Sequence, residues 1–174
     1  FSASALDAFH PKDYKGRPVL YRTSVDVDVS RITRIRQMLD EQIKSGKKFT
    51  QDDFIRMQQD AYSLRAERDA PFFKGWKASS AEAEKARAMI ESWDRVLKAD
   101  SVAGALYVRW STSEAGRKAV DEKNAAARQK LMEEGLSQAI ARATKDWGDD
   151  WSQWRYGRIN ESKLPHMFIE EFGL

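Results

Sequence analysis

The chain contains no cysteine, which removes disulfides, thiolate metal sites and cysteine nucleophiles together while leaving the redox compartment undecided. Histidine is nearly as scarce. The two present, His10 and His166, stand apart from any Asp, Glu or His at metal-ligand spacing, so a zinc site is not expected. His166 has no partner in sequence that would make it a general base, and a surface or packing role is the simpler reading. Nine Gly and four Pro in 174 residues are too few for a low-complexity or disordered chain. No window reaches the ~18 to 20 uninterrupted apolar residues a membrane span needs, and no charged stretch leads into an apolar one as in a signal peptide. The serine-nucleophile elbow, the phosphate loop and the dinucleotide glycine fingerprint are all missing.

An excess of one charge is also lacking. Thirty basic and twenty-seven acidic residues give +3 and a pI near 9.1, with the two signs interleaved. The densest basic stretch, Arg31, Arg34, Arg36, Lys44, Lys47 and Lys48, is diluted by Asp40 and Glu41 and carries no aromatic stacking platform. It reads as a solvated helix face rather than a nucleic-acid surface. The carboxylates Asp52, Asp53, Glu67, Asp69, Glu133 and Glu134 sit beside Lys or Arg on polar faces, where ordinary solvated behaviour is expected. Paired acid/base chemistry needs unlike environments instead.

What the chain does have is helical patterning. At this length one domain with a real core is the default, burying roughly two thirds of its unfolded surface. Residues 1–29 form an extended lead-in, in which Val25, Val27 and Val29 alternate with Asp26 and Asp28 and fit either a short strand or a simple run-up to the next helix. The Asp26-x-Asp28 pair lacks further oxygen ligands at calcium-loop spacing. A helical domain is expected over 30–148 and an irregular, aromatic-rich tail over 149–174. The fold class is mainly α, an irregular bundle of about five to six helices with extended ends and at most one short strand.

Ile32, Ile35, Leu39 and Ile43 recur at three- and four-residue steps, with Ser45-Gly46 as the stop. Thr50 and Asp53 form a capping box, and Phe49 and Phe54 a hydrophobic staple, opening a helix whose stripe is Phe54, Met57, Ala61 and Leu64 and which Pro71 closes. Residues 72–78 read as a loop with aromatic anchors. Ser79 and Glu82 suggest a second capping box before the stripe Ala83, Ala86, Met89 or Ile90, Trp93 and Leu97. Asp100-Ser101 starts a buried helix through Val102, Ala105, Leu106 and Trp110, with Gly104 allowing close backbone approach. From Ser113 to Trp147 one long helix or two stacked ones are expected, with Met132, Leu136, Ala139, Ile140 and Ala143 inward. Gly116 and Gly135 are weak points there, and Gly148 marks the end. The six tryptophans are mainly core packing.

Several of these segments, in this order, resemble the penicillin amidase family of N-terminal-nucleophile acylases. Arg31-Ile32-x-Arg34-Ile35 is similar to the family's Arg-x-x-Arg-Ile helix. Phe49-Thr50-x-Asp52-Asp53-Phe54, with Gln58-x-Asp60 downstream, is similar to its Phe-Thr-x-Asp-Asp helix. Trp93-Asp94, Asp100-Ser101 and Ala105-Leu106-Tyr107 resemble its Trp-Asp-Gly, Asp-Ser and small-apolar elements, and Trp151, Trp154 and Tyr156-Gly157 its Trp-x-Trp-Gly element. Arg95 stands where the family usually has Gly, Tyr156 replaces the second Trp, and Asn160 takes the place of a common His. These departures leave the subgroup and the substrate open.

The resemblance implies an amide hydrolase whose serine begins a β-chain and uses its own α-amine, of unperturbed pKa near 8, as the base. It also implies a periplasmic or secreted protein and allows calcium in the larger protein. The family's nucleophile, oxyanion-hole asparagine and calcium ligands lie upstream of the helix that resembles residues 31–44. Ser2 follows Phe1 without the family's surrounding residues and receives no such role. No residue of this chain is therefore assigned a catalytic, cofactor-binding or metal-ligating part, and none of its own cofactors is expected. A chain opening at Phe1 rather than Met reads as a processed or excised piece. Its expected partners are the remaining acylase α- and β-chain polypeptide, with self-association of the isolated piece through uncovered stripes. The competing reading is a non-enzymatic helical interaction module.

Overall fold

The apolar spacing from Ser30 onward produces helices throughout the computed structural model, which describes residues 30–161. The Val25, Val27 and Val29 alternation, Ser2, His10, His166 and the end of the tail lie outside the described residues. Among those residues there are seven α-helices and no strand, and no helix is long and apolar enough to cross a membrane. The chain divides into two compact units, meeting in sequence at Arg68 and Asp69.

In the first unit, α1 (Ser30–Lys44) ends as expected at Ser45 and at Gly46, whose φ is +69°. Helix α2 (Gln51–Gln58) opens with the predicted capping box. Thr50 Oγ1 accepts from the Asp53 amide, and Asp53 Oδ2 accepts from the Thr50 amide at 2.9 Å. The staple is present as Phe49 and Phe54 rings stacked at 5.4 Å, a contact that fixes the entry angle of the chain. The expected continuous helix to Pro71 is broken. The turn at Gln59–Ser63 places the Asp60 carboxylate against Arg34, and Ser63 starts a new short helix, α3 (Leu64–Asp69), by accepting from the Ala66 amide. Phe54, expected on a core stripe, is 49% exposed. A bidentate ion pair to Arg34 on α1 accompanies the break, where helical periodicity alone would favour continuation.

In the second unit, Pro71 lies in a 3₁₀ turn, Ala70–Phe73, because a proline ring disfavours α geometry in the residue before it. Helix α4 (Ala81–Ser92) begins one residue later than expected. Ser80, not Ser79, caps it by accepting from the Ala83 amide, and Glu82 takes no part. Ser79 turns instead to Glu133. Helix α5 (Val102–Thr112) is capped by Ser101 as predicted. The span from Ser113 to Trp147 holds two helices, α6 (Glu114–Asp121) and α7 (Ala125–Trp147), separated where Asn124 caps the second. Neither glycine breaks a helix.

Helix α7 is the spine, packing against α4, α5 and α6. Met132, Leu136, Ala139, Ile140 and Ala143 are buried along it, as the stripe predicted, and Gly148 at φ +79° ends it. Phe73, Leu106, Trp110, Met132, Leu136 and Trp154 are the largest fully buried apolar side chains; burying one of that size stabilises by about 1.5–3 kcal/mol.

Gly116 and Gly135 mark the tightest crossing. A Cβ on Gly116 would meet the Trp110 carbonyl oxygen at 2.0 Å, and one on Gly135 would meet Trp110 Cδ1 at 2.9 Å and the Gly116 nitrogen at 3.0 Å. These glycines let α6 close on the Trp110 carbonyl and α7 on the Trp110 ring, at a propensity cost of about 1 kcal/mol each.

Candidate functional site

Two groups of the quoted motif residues come together, one within each unit. In the first, α1 and the segment after α2 are tied by Arg34, whose Nε and Nη2 each donate to Asp60 at 2.9 Å while its guanidinium lies 4.8 Å from the Tyr62 ring centroid. The Arg34 hydrogen bonds hold the Asp60 carboxyl below its ordinary range, against the opposing effect of partial burial. Asp53 is buried, accepting from the Thr50 hydroxyl at 2.7 Å, the Thr50 amide, Gln42 at 3.3 Å and Arg56. The Thr50 bonds are the chief cause of its lowered pKa.

In the second unit the Trp93-Asp94, Asp100-Ser101 and Tyr156-Gly157 elements form one junction. The Tyr156 amide donates to the Ser101 carbonyl at 3.1 Å and the Gly157 amide to the Ala99 carbonyl at 2.8 Å. A Cβ on Gly157 would stand 3.1 Å from that carbonyl oxygen, and one on Gly104 would stand 3.2 Å from the Trp93 ring. Arg95 has φ +64°, the one left-handed non-glycine among the described residues. Asp94 Oδ1 holds the turn by accepting from the Val96 amide at 3.0 Å, and Trp93 Nε1 donates to the Val96 carbonyl at 3.2 Å. The position where the resembled pattern has Gly is therefore one where the backbone favours it.

Behind this junction lies a buried polar layer that the sequence reading missed. Asp69, expected to be solvated, is fully buried and accepts from the Tyr107 hydroxyl at 2.8 Å. Tyr107 packs between Trp93 and Trp110, with ring centroids at 5.7 and 5.8 Å. Nothing local advertises a pair 38 residues apart.

Arg87 is buried too. It donates through Nε and Nη2 to Glu84 at 2.9 and 2.7 Å, and through Nη1 to Glu91 at 2.7 Å and to the Phe73 carbonyl at 2.5 Å. Its hydrogen bonds hold the Glu84 carboxyl down to about 2, with help from the Ala78 amide. Glu84 and Glu91 lie three and four residues from Arg87, a spacing that does signal a helix-face ion pair, though not its burial. Arg109, also buried, donates to Asp146 at 2.7 Å and lies 4.0 Å from the Trp147 ring centroid; burial lowers its pKa more than Asp146 raises it.

The carboxylate expectation is thus corrected at Asp53, Asp69 and Glu133, the last held low chiefly by the Ser79 hydroxyl and amide. Long-range donors reach Asp69 and Glu133, where sequence neighbours do not reveal them, whereas Asp53 is held by the local Thr50 cap and Arg56. Asp52, Glu67 and Glu134 are exposed. An open cleft of about 510 Å³ lies over the start of α4, lined by Lys77, Ser79, Ser80 and Lys85 among others, yet the amides of Ala78 and Ser79 are already taken by Glu84 and Glu133. Among the described residues no three His, Asp or Glu side chains gather where they could hold a metal ion. These arrangements lock carboxylates to donors, which suits the fixing of backbone shape.

Penicillin amidase is the family that matches this chain, over residues 2–173. No curated protein and no solved structure matches it. The match spans nearly the whole sequence and takes in both motif clusters, and the chain belongs to the penicillin amidase family.

Proposed function

We propose that these residues are a helical scaffold segment of an acylase that hydrolyses the amide bond between an acyl or arylacyl group and an amine. The reacting groups, a β-chain N-terminal serine with its α-amine as base, belong to polypeptide outside the 174 residues, as does any bound calcium. The partners of the segment are the remaining parts of the α- and β-chains, and the whole protein acts in the periplasm or outside the cell. The observation that carries this reading is the family match over residues 2–173, joined to the tying of Asp53, Asp60 and Glu84 to cations within the segment. A carboxylate committed to a cation is a poor proton acceptor near neutral pH.

A chromogenic acyl-anilide series tests it. The purified 174-residue chain is expected to release no chromophore, and the whole protein to release it at a rate set by the acyl group. Turnover by the chain alone would refute the scaffold assignment. A correctly processed whole protein inert toward every acyl-anilide would refute the activity.

A further inference from the structure

Within the second unit, the 3₁₀ turn Ala70–Phe73 and the residues after it face the first turns of α7 across a cleft of about 240 Å³. Phe72, Trp76 and Met132 line it together with Lys74, Arg128 and Gln129, and no carboxylate is among the lining residues. Phe72 and Trp76 are half-buried and Met132 is buried, so its apolar side is continuous with the core.

The walls are held in place by the protein itself. Trp76 Nε1 donates to the Phe72 carbonyl at 2.7 Å, and the Arg87 guanidinium lies 5.8 Å from the Trp76 ring centroid. Arg128 donates to the Glu122 carbonyl through Nε at 2.8 Å and through Nη2, and its guanidinium lies 5.0 Å from the Phe72 ring centroid. A carbonyl orients a guanidinium without neutralising it. Arg34, Arg56, Arg87 and Arg109 each meet a carboxylate. Among the described residues Arg128 and Lys74 enter no ion pair, and the Gln129 side-chain amide makes no hydrogen bond. The larger cleft over the start of α4 differs, because Glu84 stands in its wall and is already committed to Arg87.

We infer that the cleft between the Phe72–Trp76 loop and α7 binds a small aromatic carboxylate, its ring against Phe72 and Trp76 and its carboxylate on Arg128. Aromatic side chains hold a ring by offset or edge contacts, and a charge-assisted hydrogen bond to an oriented guanidinium is roughly twice as strong as a neutral one. Lys74 and Gln129 supply further donors at the same site. Pockets for drug-sized ligands run to roughly 300–1,000 Å³, so the space here suits a molecule with a single ring. Only residues of the second unit take part, and nothing in this assignment depends on the acylase reading.

Fluorine NMR of 4-fluorobenzoate, titrated with the 174-residue chain, tests it. Saturable binding of one molecule per chain is expected, with a Kd on the order of 1 mM for a ligand of about ten non-hydrogen atoms. Arg128→Gln should weaken it about tenfold through loss of the charge-assisted bond. Lys74→Glu, at an exposed position, sets a carboxylate at the site and should weaken binding as much, with the helical circular dichroism unchanged. Acetate, which has the charge without the ring, and fluorobenzene, which has the ring without the charge, should each bind more weakly than 4-fluorobenzoate. Absence of saturable binding would overturn the site. So would acetate or fluorobenzene binding as tightly as 4-fluorobenzoate, or full affinity retained in both variants.

Discussion

Arg95→Gly should make the protein more stable. Arg95 holds φ +64° in the turn after α4, where the Asp94 carboxylate accepts from the Val96 amide. A left-handed conformation costs an L-residue about 1–2 kcal/mol, because its Cβ crowds the following carbonyl. Glycine has no such cost but loses about 0.5–1 kcal/mol through the extra freedom of its unfolded chain. The difference leaves Arg95→Gly more stable by roughly 0.5–1 kcal/mol. At this chain length that is about 1–4 °C in the unfolding midpoint. Circular dichroism at the helical band measures it, with Arg95→Ala as the control that removes the guanidinium and keeps the Cβ. The alanine variant should show no rise. A rise as large with alanine as with glycine would place the effect in the side chain, and a fall with glycine would refute the strain argument altogether.

Gly116→Ala must push a methyl group into the Trp110 carbonyl at 2.0 Å; overpacking at a backbone group leaves no flexible atom to give way, and a loss of ~3 kcal/mol or more is expected by denaturant titration. Gly135→Ala, facing a ring edge and the Gly116 nitrogen at 2.9 and 3.0 Å, should cost less than Gly116→Ala, and the reverse order would count against the crossing described. Tyr107→Phe deletes the hydroxyl that donates to buried Asp69 and should destabilise by about 1–3 kcal/mol; a neutral result would mean the pair is not formed. For Glu84 the folded pKa near 2 lies below the ordinary carboxylate value of 4.5, so the unfolded state takes up its proton first. The stabilisation is full above about pH 4.5 and is lost as pH falls toward 2. Glu84→Gln should therefore flatten the acid limb of a stability–pH curve in that window, and an unchanged limb would show that the Arg87 clamp does not set it.

The helices were legible in the sequence wherever the signal was local. The Thr50–Asp53 box with its Phe49–Phe54 staple, the Ser101 cap, the buried stripe from Met132 to Ala143 and the Gly148 stop all stand where the pattern placed them. Each depends on residues within one or two turns of one another, and the chain alone sets those distances. The family was legible in a similar way, through the order of short motifs rather than any one of them.

What the sequence did not carry was decided by groups brought together from far along the chain. Arg34 cannot be seen to reach Asp60 from either residue's neighbours, yet that pair accompanies the break between α2 and α3. Ser80 took the capping role expected of Ser79, whose amide donates to Glu133, 54 residues away. Gly116 and Gly135 looked like weak points because propensity scores a glycine by its own helix, whereas here the Trp110 carbonyl at Gly116 and the Trp110 ring at Gly135 fill the space a Cβ would occupy. Burial of Asp69 needed Tyr107 to arrive from α5. Composition and periodicity determine which segments coil and which faces are apolar. Which groups meet a neighbour depends on the tertiary structure, since on α1 Arg34 and Gln42 find Asp60 and Asp53 while the apolar stripe leaves Ile32 and Leu39 half-buried and Ile35 and Ile43 exposed.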